Sequence, residues 1–184
     1  MIIGISGRRG VGKTTAAKYM EKFYGFTVVS LAEPIRELAS SLFPFNQLDF
    51  SDPKRKESNF RNYDWTPRDF IIRLGEFMRF HEESYWLKRA ISKLKKDGLY
   101  VIDDLRFTNE AEVLKKMDAQ IIRINRYEGK NPYGKNLDIP SEKDLDEYPF
   151  NFTVNEIQNL TLTSLTDNID IIMNDLDIKL CRRK

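Results

Sequence analysis

Gly7, Gly12, Lys13 and Thr14, in the run GRRGVGKTT at residues 7–15, satisfy the spacing G-x-x-x-x-G-K-[ST]. Glycines at these positions let backbone N–H groups turn inward around phosphate oxygens, and a helix opening beyond them adds its positive end. The lysine reaches the outer phosphates of a nucleoside triphosphate, and the hydroxyl can ligate magnesium. The residues expected to line the phosphates are Gly7, Gly10, Val11, Gly12, Lys13, Thr14 and Thr15. ATP with Mg2+ is the implied cofactor pair. An acidic strand end should complete the metal shell, and the run LYVIDD at 99–104 supplies one. Asp104 is expected to share the metal with Thr14. Asp103, which faces the opposite side if the strand continues that far, is the alternative.

Such a loop serves GTPases, motor ATPases and kinases, so the receiving group has to be read elsewhere. The chain has no N-K-x-D tetrapeptide for reading guanine, and Leu105-Arg106 follows the acidic strand end where a hydrolysing ATPase would place glutamate. Arginines carry the better signal. On a wheel at about 100° per residue, Phe70, Ile71, Leu74, Phe77 and Met78 of TPRDFIIRLGEFMRF should face the core, and Asp69, Arg73 and Glu76 should face solvent. Arg68, Ile72, Gly75 and Arg79 form a boundary stripe between them. That stripe suits either an anion-holding cleft edge or ordinary arginines lying along apolar surface.

Further basic residues fall near expected strand ends: Arg36, Arg106, Arg123 and Arg126, with Arg8 and Arg9 inside the loop itself. Arg8 and Arg123 are expected to be ordinary surface cations. Arginine's fork holds phosphate oxygens in fixed geometry, and phosphoryl transfer depends mainly on positioning and charge neutralisation. An acceptor that is already a phosphate monoester has a second pKa of about 6 and needs no general base. The only histidine, His81, sits in the context HEE and is read as structural or exposed. The stretch YEGKNPYGKNLDIP at 127–140 reads as a lid-like loop carrying Lys130 and Lys135.

The elements that must position these residues follow from apolar periodicity. Short apolar runs at 2–6, 26–30, 99–103, 119–125 and 150–154 alternate with helical patterns, which predicts an α/β fold with a mostly parallel five-stranded sheet. One helix should run from the loop to about Tyr24 and stop at Gly25, and a second should open at Pro34 and end at Pro44. Residues 45–65 read as an irregular excursion, and helices resume at Thr66-Pro67, near Ser84, at Asn109 and within 160–180. The length of 184 residues fits one domain, with a helical region at about 34–97 set aside for the acceptor. Lys and Arg number 30 against 28 Asp and Glu, a balance of +2 that argues against a nucleic-acid partner. Cys181 is the only cysteine, which excludes an intrachain disulfide and suits a reducing compartment. A soluble cytoplasmic protein with no membrane partner is expected; a homodimer is left open.

Taken together, SGRRGVGKTT, LAEPIRE, TPRDFIIRLGEFMR with Tyr85-Trp86, VIDDLRFTNEAE, Ser141-Glu142 and the VNE that holds Asn155 resemble the bacteriophage-type deoxynucleoside monophosphate kinases. These belong to the P-loop nucleoside monophosphate kinase superfamily. The resemblance implies the three-layer P-loop fold and transfer of the γ-phosphoryl of ATP to a deoxynucleoside 5′-monophosphate, with magnesium. It further implies that Arg9, Ile35, Arg36, Arg68, Ile72, Arg79 and Asp104 border the acceptor, that Arg106 and Arg126 lie near the transferred group, and that Asn155 lies near the ATP base. The chain departs from the pattern at Thr14, where many relatives carry Asp, and at Ile72, where they often carry Gln. Its Gly75-to-Arg79 spacing is also one residue shorter than in some, and Ser141 with Asp144 also reads as a helix cap. Rival readings keep the loop and change the role. One is a kinase of another small phosphorylated metabolite, such as phosphomevalonate; another is a nucleotide-binding switch or assembly ATPase.

Overall fold

In the computed structural model, residues 1–126, 143–156 and 162–180 are described. They fall into two compact units, Met1–Ser30 with Leu94–Lys184, and Leu31–Lys93.

The first unit is built on β1 (Ile2–Ser6), β2 (Thr27–Val29), β3 (Tyr100–Leu105), β4 (Gln120–Arg126) and β5 (Phe152–Glu156). All pair in parallel, in the order β2-β3-β1-β4-β5. Every residue of β1 is buried, as a central parallel strand covered on both faces requires. Helix α1 (Lys13–Tyr24) opens behind Gly12, at φ 101°, and ends at Gly25, at φ 76°, where left-handed backbone closes the last turn. The apolar positions Ala16, Ala17 and Met20 of α1 pack with Ile3, Ile5, Val101, Ile122 and Ile124 of the strands. The final helix of the unit (Leu162–Asp175) places Leu165, Ile169, Ile172 and Met173 in the same cluster. Asp170 ties this helix to α1 by accepting from Tyr24 Oη at 2.6 Å and Tyr19 Oη at 3.0 Å. Burial first, then Asp170, pushes the Tyr19 phenol up to about 12, so it stays a neutral donor.

In the second unit, α2 (Ala32–Leu42) opens two residues ahead of Pro34, which sits within its first turn. The excursion expected at 45–65 is more ordered than its composition suggests. Asn46 and Asp49 form a capping box that starts α3 (Gln47–Ser51), and Asp52 caps α4 (Pro53–Lys56). Both helices are too short for periodicity to reveal. Phe45, Phe50 and Phe60 close a local core with Phe43, Trp65 and Phe70 packed around it. Thr66 and Asp69 cap α5 (Pro67–His81) reciprocally, with Pro67 at its first position, as the sequence predicts. Phe77, expected in the core, is 60% exposed, because the buried contact of α5 falls on Gly75 instead. Helix α6 (Tyr85–Ile91) sends Trp86 Nε1 to the carbonyl of Gly75 at 3.1 Å.

Within the first unit α7 (Thr108–Lys115) follows β3, its start fixed by Glu110, which accepts from the backbone N–H of Arg106 and of Phe107 at 3.0 Å each. With α7 in place the helix Leu162–Asp175 is α8. Among the described residues no helix is long and apolar enough to cross a membrane.

Candidate active site

The loop between β1 and α1 has the backbone its glycines forecast. Gly7, Gly10 and Gly12 adopt φ of 150°, 82° and 101°. A Cβ on Gly7 would lie 2.5 Å from the carbonyl oxygen of Ile124, so no side chain fits there without moving β4. Lys13 folds back over the loop and donates from Nζ to the carbonyls of Gly7 at 2.7 Å and Arg8 at 3.0 Å. That posture folds the ammonium back onto the loop backbone, beside the stretch Gly10–Thr15 expected to line the phosphates.

Thr14 lies in the first turn of α1, and its Oγ1 donates to Asp103 Oδ2 at 2.8 Å. Asp104 was expected to share the metal with Thr14, with Asp103 the alternative, and it is Asp103 that bonds to Thr14. Asp103 stands two residues beyond Val101, which packs in the α1 cluster, at the point where β3 shifts register against β1. Asp104 accepts from Ser30 Oγ at 2.7 Å, just beyond the end of β2. Sequence alone could not choose, because the choice depends on which face of the sheet α1 covers. Among the described residues no group of three or more His, Cys, Asp or Glu could hold a metal. A hydroxyl and one carboxylate fit magnesium, which keeps water and phosphate oxygens for its remaining positions.

Arg123 is the larger surprise. Expected at the surface, it is 7% exposed. It donates from Nε to Asn125 Oδ1 at 3.0 Å, from Nη1 to Ser6 Oγ at 3.2 Å and from Nη2 to Asp146 Oδ1 at 2.5 Å. The register explains the first two bonds: Ser6 lies level with Arg123, and Asn125 follows two residues on, on the same face. Arg8 is also more than a surface cation, donating from Nη2 to Asp146 Oδ2 at 2.8 Å. Burial works to raise the Asp146 pKa, but the Arg8 and Arg123 guanidiniums outweigh it and hold the carboxyl below its ordinary value. No sequence signal pointed to Asp146. Asn125 Nδ2 in turn donates to Asn155 Oδ1 at 3.0 Å, in β5.

Of the other expected residues in this unit, Arg9 and Arg106 are half-buried. Arg126 ends β4, with its side chain outside the described set, and Lys130, Lys135, Ser141 and Glu142 lie outside the described residues. In the helical unit the boundary stripe is present: Arg68 and Arg79 are half-buried, Gly75 is buried and Ile72 is 38% exposed. Arg68 Nη1 pairs with Glu57 Oε1 at 3.1 Å, a partner from the segment read as an excursion. A Cβ on Gly75 would sit 3.4 Å from Arg79 Nη1 and 3.6 Å from Ile35 Cδ1, so the glycine lets Arg79 and Ile35 close over the helix. Arg36 is half-buried on α2. His81 is exposed, against the rings of Phe77 and Phe80.

Comparison with known proteins follows the same lines. No protein-family model matches the chain. A protein of Acanthamoeba polyphaga mimivirus, named as a proposed deoxynucleotide monophosphate kinase, is 28% identical over 144 residues, 68% of this chain and 74% of its own length. Cytidylate kinase of Methanocella arvoryzae is 44% identical over 57 residues, 29% of this chain and 33% of that one. Among solved structures, shikimate kinase from Acinetobacter baumannii in complex with shikimate aligns over 96% of this chain and 93% of its own, with TM-score 0.52 and 14% identity. The fold is therefore that of a P-loop kinase, a parallel five-stranded sheet flanked by helices. The likeness to P-loop proteins of the nucleoside monophosphate kinase type, expected from the motifs, is found in sequence as well.

Proposed function

We propose that this chain, with its P-loop kinase fold, transfers the γ-phosphoryl of ATP to a deoxynucleoside 5′-monophosphate and releases the diphosphate. The observation that carries the donor half is the loop itself, with Lys13 poised over its carbonyls and Thr14 bonded to Asp103. The acceptor half rests on the likeness to the mimivirus protein over most of both chains.

In this reading Lys13 steadies the oxygens of the migrating group, and Thr14 and Asp103 hold Mg2+, directly or through water. Magnesium held there with the nucleotide would supply positive charge against the negative charge that develops during transfer. Arg106 and Arg126 neutralise the transferred group, and Arg9, Arg36, Arg68 and Arg79 meet the acceptor's phosphate. Ile35 and Ile72 border the acceptor, Asp104 with Ser30 offers it hydrogen-bond acceptors, Lys130 and Lys135 close over the phosphates, and Asn155 lies toward the ATP base. The acceptor phosphate is anionic at neutral pH and attacks in line, so no histidine is needed. A cytoplasmic setting belongs to the same reading.

The test is ADP formation from Mg-ATP against a panel of deoxynucleoside and ribonucleoside monophosphates, with phosphomevalonate and a no-acceptor control. Turnover confined to nucleotide acceptors is expected. Equal ADP formation without any acceptor would replace this reading with a nucleotide-binding ATPase. Arg68→Ala should raise the KM for the acceptor roughly tenfold to a hundredfold with little change in the KM for ATP, since a charge-assisted hydrogen bond is worth about 1.5–3 kcal/mol. An unchanged acceptor KM would remove Arg68 from the site.

A further inference from the structure

Asp146 belongs to none of the motifs above, yet it is the point where two cations of the first unit converge. One oxygen accepts from Arg8 at 2.8 Å and the other from Arg123 at 2.5 Å. Arg123 passes the constraint on to Ser6 Oγ at 3.2 Å. Ser6 immediately precedes Gly7 and Arg8 immediately follows it, so this one carboxylate restrains both flanks of Gly7. The carbonyls of Gly7 and Arg8 are the two that accept from Lys13 Nζ. A buried guanidinium is costly unless every bond it offers is answered, and an ordinary strut at a strand end could answer it anywhere. Here both arms of the network terminate on the residues that bracket Gly7.

We propose that Asp146 is a positioning residue for the triphosphate loop. Through Arg8 directly, and through Arg123 and Ser6, it sets the Gly7–Arg8 carbonyls and hence the place of the Lys13 ammonium. Asp146 need not touch the nucleotide. The inference rests on the reading of the loop as a triphosphate site.

The test is titration of the full chain with Mg-ATP and with inorganic tripolyphosphate, alongside thermal denaturation, for the wild type, Asp146→Asn, Asp146→Glu and Asp170→Asn. Asp170 supplies a matched control, because it ties α8 to Tyr19 and Tyr24 of α1 rather than to the loop. Asp146→Asn is expected to weaken both probes by about tenfold, since small displacements of a positioned group carry penalties of that order. Asp146→Glu should recover part of the loss. Asp170→Asn should lower the melting temperature and leave both affinities alone. Unchanged affinity in Asp146→Asn, an equal loss in Asp170→Asn, or a loss for ATP but not for tripolyphosphate would each overturn the inference. A wild type that binds neither probe would overturn the triphosphate reading itself, and the inference with it.

Discussion

Lys13→Ala should lose turnover by about a hundredfold to a thousandfold, equivalent to about 3–4 kcal/mol of transition-state stabilisation. The expectation comes from where the ammonium sits. Two loop carbonyls hold it at 2.7 and 3.0 Å, so it is pre-placed before any phosphate arrives and little reorganisation is needed during transfer. The loss should appear in kcat at saturating ATP as well as in kcat/KM, because in the proposed reaction the lysine's strongest interaction is with charge that develops on the migrating group. Initial rates at saturating acceptor, with the melting temperature as a fold control, would check this. A variant that turns over normally would show that the loop holds something other than a transferable phosphate.

The second large effect separates two adjacent carboxylates. Asp103→Asn should reduce turnover by about a hundredfold and raise the magnesium concentration needed for half-maximal rate, by weakening the ionic oxygen that the proposed reading assigns to the cation. Asp104→Asn should leave the magnesium requirement unchanged, because its carboxylate is engaged by Ser30 and not by Thr14. A magnesium titration of both variants at fixed ATP decides between them. If Asp104→Asn shifted the magnesium curve and Asp103→Asn did not, the assignment drawn from the Thr14 bond would be reversed.

The two carboxylates also show how far the chain could be read without coordinates. An acidic end to the strand at 99–103 is evident from composition and position. Which of two neighbours looks toward Thr14 is decided by the face that α1 covers, and that face is set by packing of Ala16, Ala17 and Met20 against Ile3, Ile5 and Val101. Arg123 makes the same point more strongly. An arginine in IIRINR reads as an interruption in an apolar strand, and only the parallel register that sets Ser6 level with it explains its burial. Its remaining partner, Asp146, lies 23 residues along the chain. Residues 45–65 failed as an irregular excursion for a different reason. Helices of 5 and 4 residues are too short to show a 3.6-residue period, and the aromatic contacts that support them are non-local. On α5 the wheel placed Phe77 in the core because side-chain apolarity was the only guide, while the actual close contact is a glycine backbone met by Trp86.

What the amino-acid sequence determined by itself is therefore whatever is local: the glycine loop with its lysine and threonine, the caps of α1 and α5, and the five apolar strands. Backbone conformation, cap chemistry and two-residue or 3.6-residue alternation depend on neighbours only a few residues away. Tertiary structure decided the rest, namely which aspartate meets Thr14, why Arg123 is buried, and how Asp146 comes to grip both sides of Gly7. Those contacts depend on sheet order, register and the choice of face, which arise only when segments far apart in the chain pack against one another.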